Sequence, residues 1–216
     1  MNIDKKVLFF LLNNEFGFKS VAEHNHLNLI NIFGNDKPVI VEIGSGKGEY
    51  LAIKSLFHPE QNFIGLEVKN KRIITTLKKL DIEKNKNVRL LNLLLDNEIN
   101  KILPSSSIDE FIINHPDPWP KKRHHKRRLI RHDIIDTLFN LLKEGGLIRI
   151  STDNLEYAEW IKHMFDERPD FKSIYKEGYN FIVPEDHFIT YFDKLQAELG
   201  FDPVFMLYKK IGTQIE

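Results

Sequence analysis

The sequence predicts an α/β fold: a mostly parallel, seven-stranded sheet with helices on both faces and an antiparallel C-terminal strand. Three observations predict it. Short β-branched and apolar runs alternate with segments of helical periodicity along most of the 216 residues, the pattern of strands buried on both faces. The first run ends in a glycine cluster, Gly44-Ser45-Gly46-Lys47-Gly48, where a strand-to-helix turn must be tight. No repeat or low-complexity linker divides the chain, so one domain is expected over 38–216 behind a helical lead-in at 1–37.

In chain order, Val7 to Leu12 (VLFFLL) reads as a core helix, too short for a secretion signal and without a cleavage site behind it. Val39 to Ile43 is the first strand and turns through the glycines into a helix near 48–57. Asn62 to Val68 is the second, followed by a helix near 69–80. Val88 to Leu95 and Phe111 to Ile113 are the third and fourth. Ile130, Ile134, Leu138 and Leu141 share one helical face, which places a helix near 126–143, ended by Gly145-Gly146. Leu147 to Ser151 makes a fifth strand, and 171–176 with Val204 to Tyr208 complete the sheet in an antiparallel sense.

Composition narrows the class. The absence of cysteine excludes disulfides, thiolate catalysis and Cys-type zinc sites, and suits a reducing cytoplasm. No run of 18 apolar residues occurs, so no membrane span is expected. Cations and acids number 31 each, yet seven of the cations lie between Lys121 and Arg131 with no acid among them. The other 24 cations face all 31 acids, a net of −7 outside that segment. A polyanionic partner would therefore meet a local patch and not the surface as a whole.

A glycine-rich turn between strand and helix brings backbone close to a ligand, although unliganded folds use the same turn. The dinucleotide fingerprint places glycines first, third and sixth. Here the sixth place is Glu49, whose carboxylate would repel a pyrophosphate, so a nicotinamide dinucleotide is disfavoured. The sulfonium and amine of S-adenosylmethionine instead suit Glu42 and tolerate Glu49. Glu67 lies 23 residues after Gly44 at the end of the second strand, where an acid accepts hydrogen bonds from ribose hydroxyls.

After the fourth strand comes His115-Pro116-Asp117-Pro118-Trp119-Pro120. Each proline fixes its own φ and pushes the residue before it out of the α region. That predicts a stiff, extended loop aiming Asp117 and Trp119 from the carboxyl edge of the sheet. For Trp119, packing is favoured at least as much as base stacking. The cations follow at the start of the 126–143 helix, where the macrodipole disfavours them by about 0.3–1 kcal/mol per charge. Phosphates would supply the missing negative charge. His115, His124, His125 and His132 complete no metal-ligand spacing, and no metal is expected.

Several stretches together carry a family resemblance: Glu42-Ile43-Gly44-x-Gly46-x-Gly48, Phe63-Ile64-Gly65-Leu66-Glu67, PDPWPKKRHHKRRL at 116–129, Gly145-Gly146 and Ser151-Thr152-Asp153-Asn154. With these the chain resembles the bacterial tRNA (guanine-N7-)-methyltransferases over most of 38–200. The resemblance implies a Rossmann-like class I methyltransferase. Such an enzyme moves a methyl group from S-adenosyl-L-methionine to N7 of the variable-loop guanine (guanine-46) of tRNA, in the cytoplasm, leaving S-adenosyl-L-homocysteine. It implies that Glu42, Gly44, Gly46, Gly48, Glu67 and Asp117 hold the cofactor, with Asp117 also catalytic. Lys121, Asp153, Thr190 and Asp193 would meet the substrate, and Arg123, His124, His125, Lys126, Arg127 and Arg128 the RNA. A monomer and a homodimer are equally compatible with it.

Three positions depart from the family pattern. Leu94 stands in direct register with the family's adenine-side Asp, and a one-residue bulge would bring Asp96 there instead; Asp96 is the expected ligand. Thr190-Tyr191-Phe192-Asp193-Lys194 replaces Thr-x-x-Glu-x-Lys, with a shorter acid and an early lysine, while Gly200 keeps its distance. His115 occupies a place where Phe is usual. Two other readings compete: a methyltransferase with another target, or a non-catalytic RNA-binding protein on the same scaffold. An Asn-Pro-Pro-aromatic amino-group enzyme does not match Asn114-His115-Pro116-Asp117.

Overall fold

The computed structural model describes residues 3–12 and 26–212. Strands β1 (Val39–Ile43), β2 (Asn62–Leu66), β3 (Val88–Leu91), β4 (Ile108–Asn114), β5 (Leu142–Thr152), β6 (Phe171–Ser173) and β7 (Val204–Lys210) form one sheet. Its order is β3-β2-β1-β4-β5-β7-β6. Strands β1 to β5 are parallel, β7 runs antiparallel to β5, and β6 antiparallel to β7. The predicted mixed sheet is therefore present. The third strand stops at Leu91, short of the expected Leu95: Asn92 turns its amide to the Glu67 carbonyl at 2.7 Å.

Helices α1 (Ile3–Phe10), α2 (Leu29–Phe33), α3 (Glu49–Phe57), α4 (Asn70–Lys79), α5 (His132–Leu141), α6 (Leu155–Asp166) and α7 (Tyr191–Glu198) surround the sheet. Alternation along β1 divides the core as a period of two requires. Val39, Val41 and Ile43 pack with Ile134 and Leu138 of α5 and Ile161 of α6. Ile40 packs with Leu51 of α3 and Ile73 of α4 on the other face. The lead-in is pinned at the far edge, where Leu12 N donates to Leu90 O at 2.9 Å. Buried Arg89 lies between the Phe9 and Phe33 rings at 4.5 and 5.2 Å and donates to Ile32 O.

Two expectations around the fourth and fifth strands need correction. The helix predicted near 126–143 begins only at His132, and the cations form a separate 3-10 turn, Lys122–Arg127. Of the seven cations only Arg131, its N-cap, stands at the α5 start. Gly145-Gly146 lies inside β5 instead of ending α5, whose last cap is Leu142. Gly145 has φ +75°, and a Cβ on Gly146 would press on Lys143 O and Asp109 O. The pair makes a bulge, and the register jumps from Ile108↔Leu142 to Glu110↔Leu147.

Among the described residues no helix is long and apolar enough to cross a membrane. The chain winds from β1 through β2 to β3 at one edge, then crosses back to place β4 on the other side of β1. A crevice opens at such a switch point, outside the carboxyl ends of the strands.

Candidate active site

A cleft of about 440 Å³ occupies that crevice. Gly44, Glu67, Asn114, Asp117 and Trp119 line it, together with Arg72, Arg127 and Arg131. Gly44 has φ +71°, and among the described residues nothing lies within 4 Å of where its Cβ would be. It presents bare backbone to open space in a conformation that favours glycine. Gly46 and Gly48 do not border the cleft. A Cβ on Gly48 would collide with the Thr76 side chain, so this glycine lets α3 close on α4.

Glu67 is 3 % exposed; its Oε1 accepts from Lys69 N at 2.8 Å and its Oε2 pairs with Arg72 at 3.3 Å. Each oxygen keeps a second lone pair for a ligand hydroxyl. Glu42 is 5 % exposed and, like Ser45 and Tyr50, does not itself border the cleft. Burial pushes its carboxyl up to about 8, and the nearby Asn114 side chain opposes that shift. Glu42 Oε2, Ser45 Oγ, Tyr50 OH and Asn114 Nδ2 are buried without hydrogen-bond partners among the described residues. Buried polar atoms are rarely left so. This mixed set of donors and acceptors fits the ammonium and carboxylate of an amino-acid ligand end.

Leu93, Leu94 and Leu95 form the far wall, and Leu94 is 61 % exposed. Asp96, the expected ligand there, is not in the wall. Its carboxylate accepts from Glu98 N at 3.0 Å and caps the 3-10 turn Asn97–Lys101. The reason is register: β2 and β3 pair evenly from Phe63↔Val88 to Leu66↔Leu91, with no bulge to shift Asp96 forward.

The proline loop is not simply extended. His115 and Trp119, each before a proline, have φ +48° and +44°. Two left-handed kinks thus flank Asp117, which is exposed and lines the cleft. Trp119 lines the cleft and packs under the Arg127 guanidinium at 5.0 Å. Arg128, expected on RNA, is corrected outright. It is 1 % exposed, donates to Pro118 O at 2.9 Å, pairs with Glu156 at 2.8 Å and lies over Tyr157 and Trp160. It is a strut beneath the loop.

Lys121, Lys122, Arg123, Lys126 and Arg127 are exposed. His124 packs on Trp119 and His125 on Trp160, both half-buried. Asp153 follows β5, whose Ser151 lies beside Asn114 and donates to it at 3.1 Å. Thr190 and Asp193 cap α7 reciprocally: Asp193 Oδ2 accepts from Thr190 N and Oγ1 at 2.7 and 2.6 Å. Asp193 Oδ1 takes His115 Nε2 at 2.7 Å. Burial opposes its ionisation, but hydrogen bonds from His115 and Thr190, with the His187 ring nearby, outweigh it and hold the carboxyl far below the usual range. Asp193, expected to meet substrate, has its carboxylate already engaged within the protein.

Sequence reasoning missed Asn114, Tyr50, Arg72 and His187. Asn114 had a signal, a polar residue closing an apolar strand. His187 had none: it is 3.7 Å from Asp193 only because the chain returns from β6.

A family profile described as "Putative methyltransferase" matches residues 36–196. A protein of Zymomonas mobilis named tRNA (guanine-N(7)-)-methyltransferase is 36 % identical over 193 residues, 88 % of this chain and 83 % of that one. One of the same name from Nitrosococcus oceani is 38 % identical over 162 residues, covering 75 % and 69 %. Among solved structures, an rRNA methylase from Streptococcus thermophilus superposes with a TM-score of 0.55 at 13 % identity, covering 93 % of this chain and 99 % of that one. At that identity it supports the fold alone.

Proposed function

The chain belongs to this methyltransferase family, and we propose that it transfers a methyl group from S-adenosylmethionine to N7 of a guanine in tRNA. Guanine-46 of the variable loop is the position we assign. One observation carries the reading: Asp117 stands exposed at the cleft between the Glu67 strand end and a rim of exposed cations.

Bound in the cleft, S-adenosylmethionine supplies an electrophilic sulfonium methyl. Glu42, Ser45 and Asn114 would hold its amino-acid end, Gly44 its close backbone approach and Glu67 its ribose. Guanine N7 bears a lone pair and no proton, so the site requires no general base. Asp117 orients the guanine and its carboxylate stabilises the positive charge the purine gains. Lys121 and Asp153, at the same edge of the sheet, contact the guanine nucleotide. Arg123, Lys126 and Arg127 neutralise tRNA phosphates. A tRNA substrate sets the reaction in the cytoplasm, in keeping with a cysteine-free chain.

The test is incubation with unmodified tRNA and a donor labelled in its methyl group, followed by strand cleavage specific for N7-methylguanine. Label in tRNA and a break at the variable-loop guanine are expected. Absence of label would favour the non-catalytic reading, and a break elsewhere would overturn the assigned position.

A further inference from the structure

We propose that the His115–Asp193 hydrogen bond is a clamp that sets the aim of Asp117, which makes both residues positioning residues for methyl transfer. This rests on the reading that Asp117 faces the guanine. The two side chains are 9 % and 8 % exposed and join positions 78 residues apart at 2.7 Å. An ionised carboxylate only accepts, so His115 Nε2 carries the proton.

The clamp acts where the backbone is least at ease. His115 has φ +48° immediately before Pro116, a combination that residues preceding proline avoid. Such conformations persist where surroundings over-determine them. Here His115 N donates to Ser151 O at 2.9 Å, the ring meets Phe192 at 4.7 Å, and Nε2 reaches Asp193. The far end of the clamp is itself anchored. Thr190 locks Asp193 in the α7 cap, and Tyr191 N donates to Glu49 Oε2 at 3.1 Å. Upstream, Asp186 pairs with Arg149 of β5 at 3.0 Å and Lys54 of α3 at 3.6 Å. On the other side of Asp117, Arg128 holds Pro118 O. Asp117 is thus bracketed by two buried ties, and releasing the His115 tie leaves it fixed from one side.

The test compares His115→Leu, His115→Gln, Asp193→Ala and the Leu/Ala double variant in tRNA methylation. None introduces a Cβ-branched side chain at 115 or 193, and both His115 variants bear a similar left-handed backbone cost. His115→Leu is expected to lower kcat about 10- to 100-fold, the scale of a misplaced reacting group. Calorimetric affinity for S-adenosylhomocysteine and KM for tRNA should stay within about threefold. His115→Gln, whose amide nitrogen replaces Nε2 as donor, should recover most of kcat. The double variant should lose no more than Asp193→Ala alone, because both cut one connection. Unchanged kcat in His115→Leu would overturn the clamp. So would additive losses, or a loss that Gln fails to rescue and that tracks lowered thermal stability. Wild-type protein that binds S-adenosylhomocysteine but leaves tRNA unmethylated would overturn the parent reading, and the clamp with it.

Discussion

On the β1–β2 side of the cleft, Glu42 and Glu67 are 5 % and 3 % exposed at the ends of strands buried on both faces. On the β4 side, Asp117 stands exposed on a kinked loop, followed by five cations turned to solvent. The first side is buried within the fold, and it holds polar atoms, without partners among the described residues, that a small molecule can satisfy. The second keeps its charge in water, where only a polyanion collects it. The difference separates the tasks: small-molecule binding is settled by fixed buried geometry, macromolecular capture by an open electrostatic rim. Asp117 is the point at which the two meet.

The largest effect should come at that meeting point. Asp117→Ala is expected to lower kcat/KM about 10²- to 10³-fold, the scale of one lost charge-stabilising group. Steady-state kinetics would check this, and retention of wild-type rate would remove Asp117 from the mechanism. Next is the strut. Arg128→Ala leaves Pro118 O without its buried donor and removes the packing on Tyr157 and Trp160, so we expect about 1–3 kcal/mol less stability in denaturant titration. The salt dependence of tRNA binding should not change. If Arg128→Ala instead behaved as a lost phosphate contact, the buried assignment would fail.

A smaller effect concerns pH. Glu42 is raised to about 8, so between the ordinary carboxylate range and pH 8 the folded protein holds a proton that the unfolded chain has lost. Its contribution to stability therefore falls as pH rises through that window, by at most about 1.4 kcal/mol per pH unit. Asp193 has the opposite sign: its depressed pKa stabilises the fold above the usual carboxylate range, and that contribution is lost only in acid. The ligand-free protein should melt at lower temperature at pH 8 than at pH 6, and Glu42→Gln should flatten the difference. Bound S-adenosylmethionine, with a cation beside Glu42, should flatten it too and release protons on binding near pH 7. Smallest of all, Leu94→Asp should tighten S-adenosylhomocysteine binding by about 1 kcal/mol, the size of one added hydrogen bond. Calorimetry that showed no gain would mean that the leucine wall lies away from the adenine amine.

The sheet was legible because buried strands announce themselves in contiguous apolar runs, and strand ends place Glu42, Glu67 and Asp117 along one edge. What escaped the sequence depended on phase or on distance. A run such as Lys121 to Arg128 says nothing about which cation points inward, since a 3-10 turn buries Arg128 and exposes Arg127 beside it. Leu94 against Asp96 turned on the pairing of β2 and β3. His115 and Asp193, two departures from the family pattern, proved to touch each other, a relation that no local pattern carries. The proline loop misled in another way: proline restricts its neighbour, but tertiary contacts held two of those neighbours at positive φ.

The separation of the two sides is tested most directly by salt. Affinities for tRNA and for S-adenosylhomocysteine should be measured over one salt series, in wild-type protein and in an Arg123→Ala/Lys126→Ala variant, two exposed cations that do not line the cleft. If the rim engages about three to five phosphates, log affinity for tRNA falls against log salt with a slope of about −2 to −4. The variant should flatten that slope by about one to two units. S-adenosylhomocysteine affinity should be nearly independent of salt and unchanged by the variant, because screening at ~0.15 M salt confines exposed charges to about 8 Å. A wild-type tRNA slope in the variant, or a loss of S-adenosylhomocysteine affinity equal to its loss for tRNA, would contradict a division between a buried cofactor side and an open RNA side.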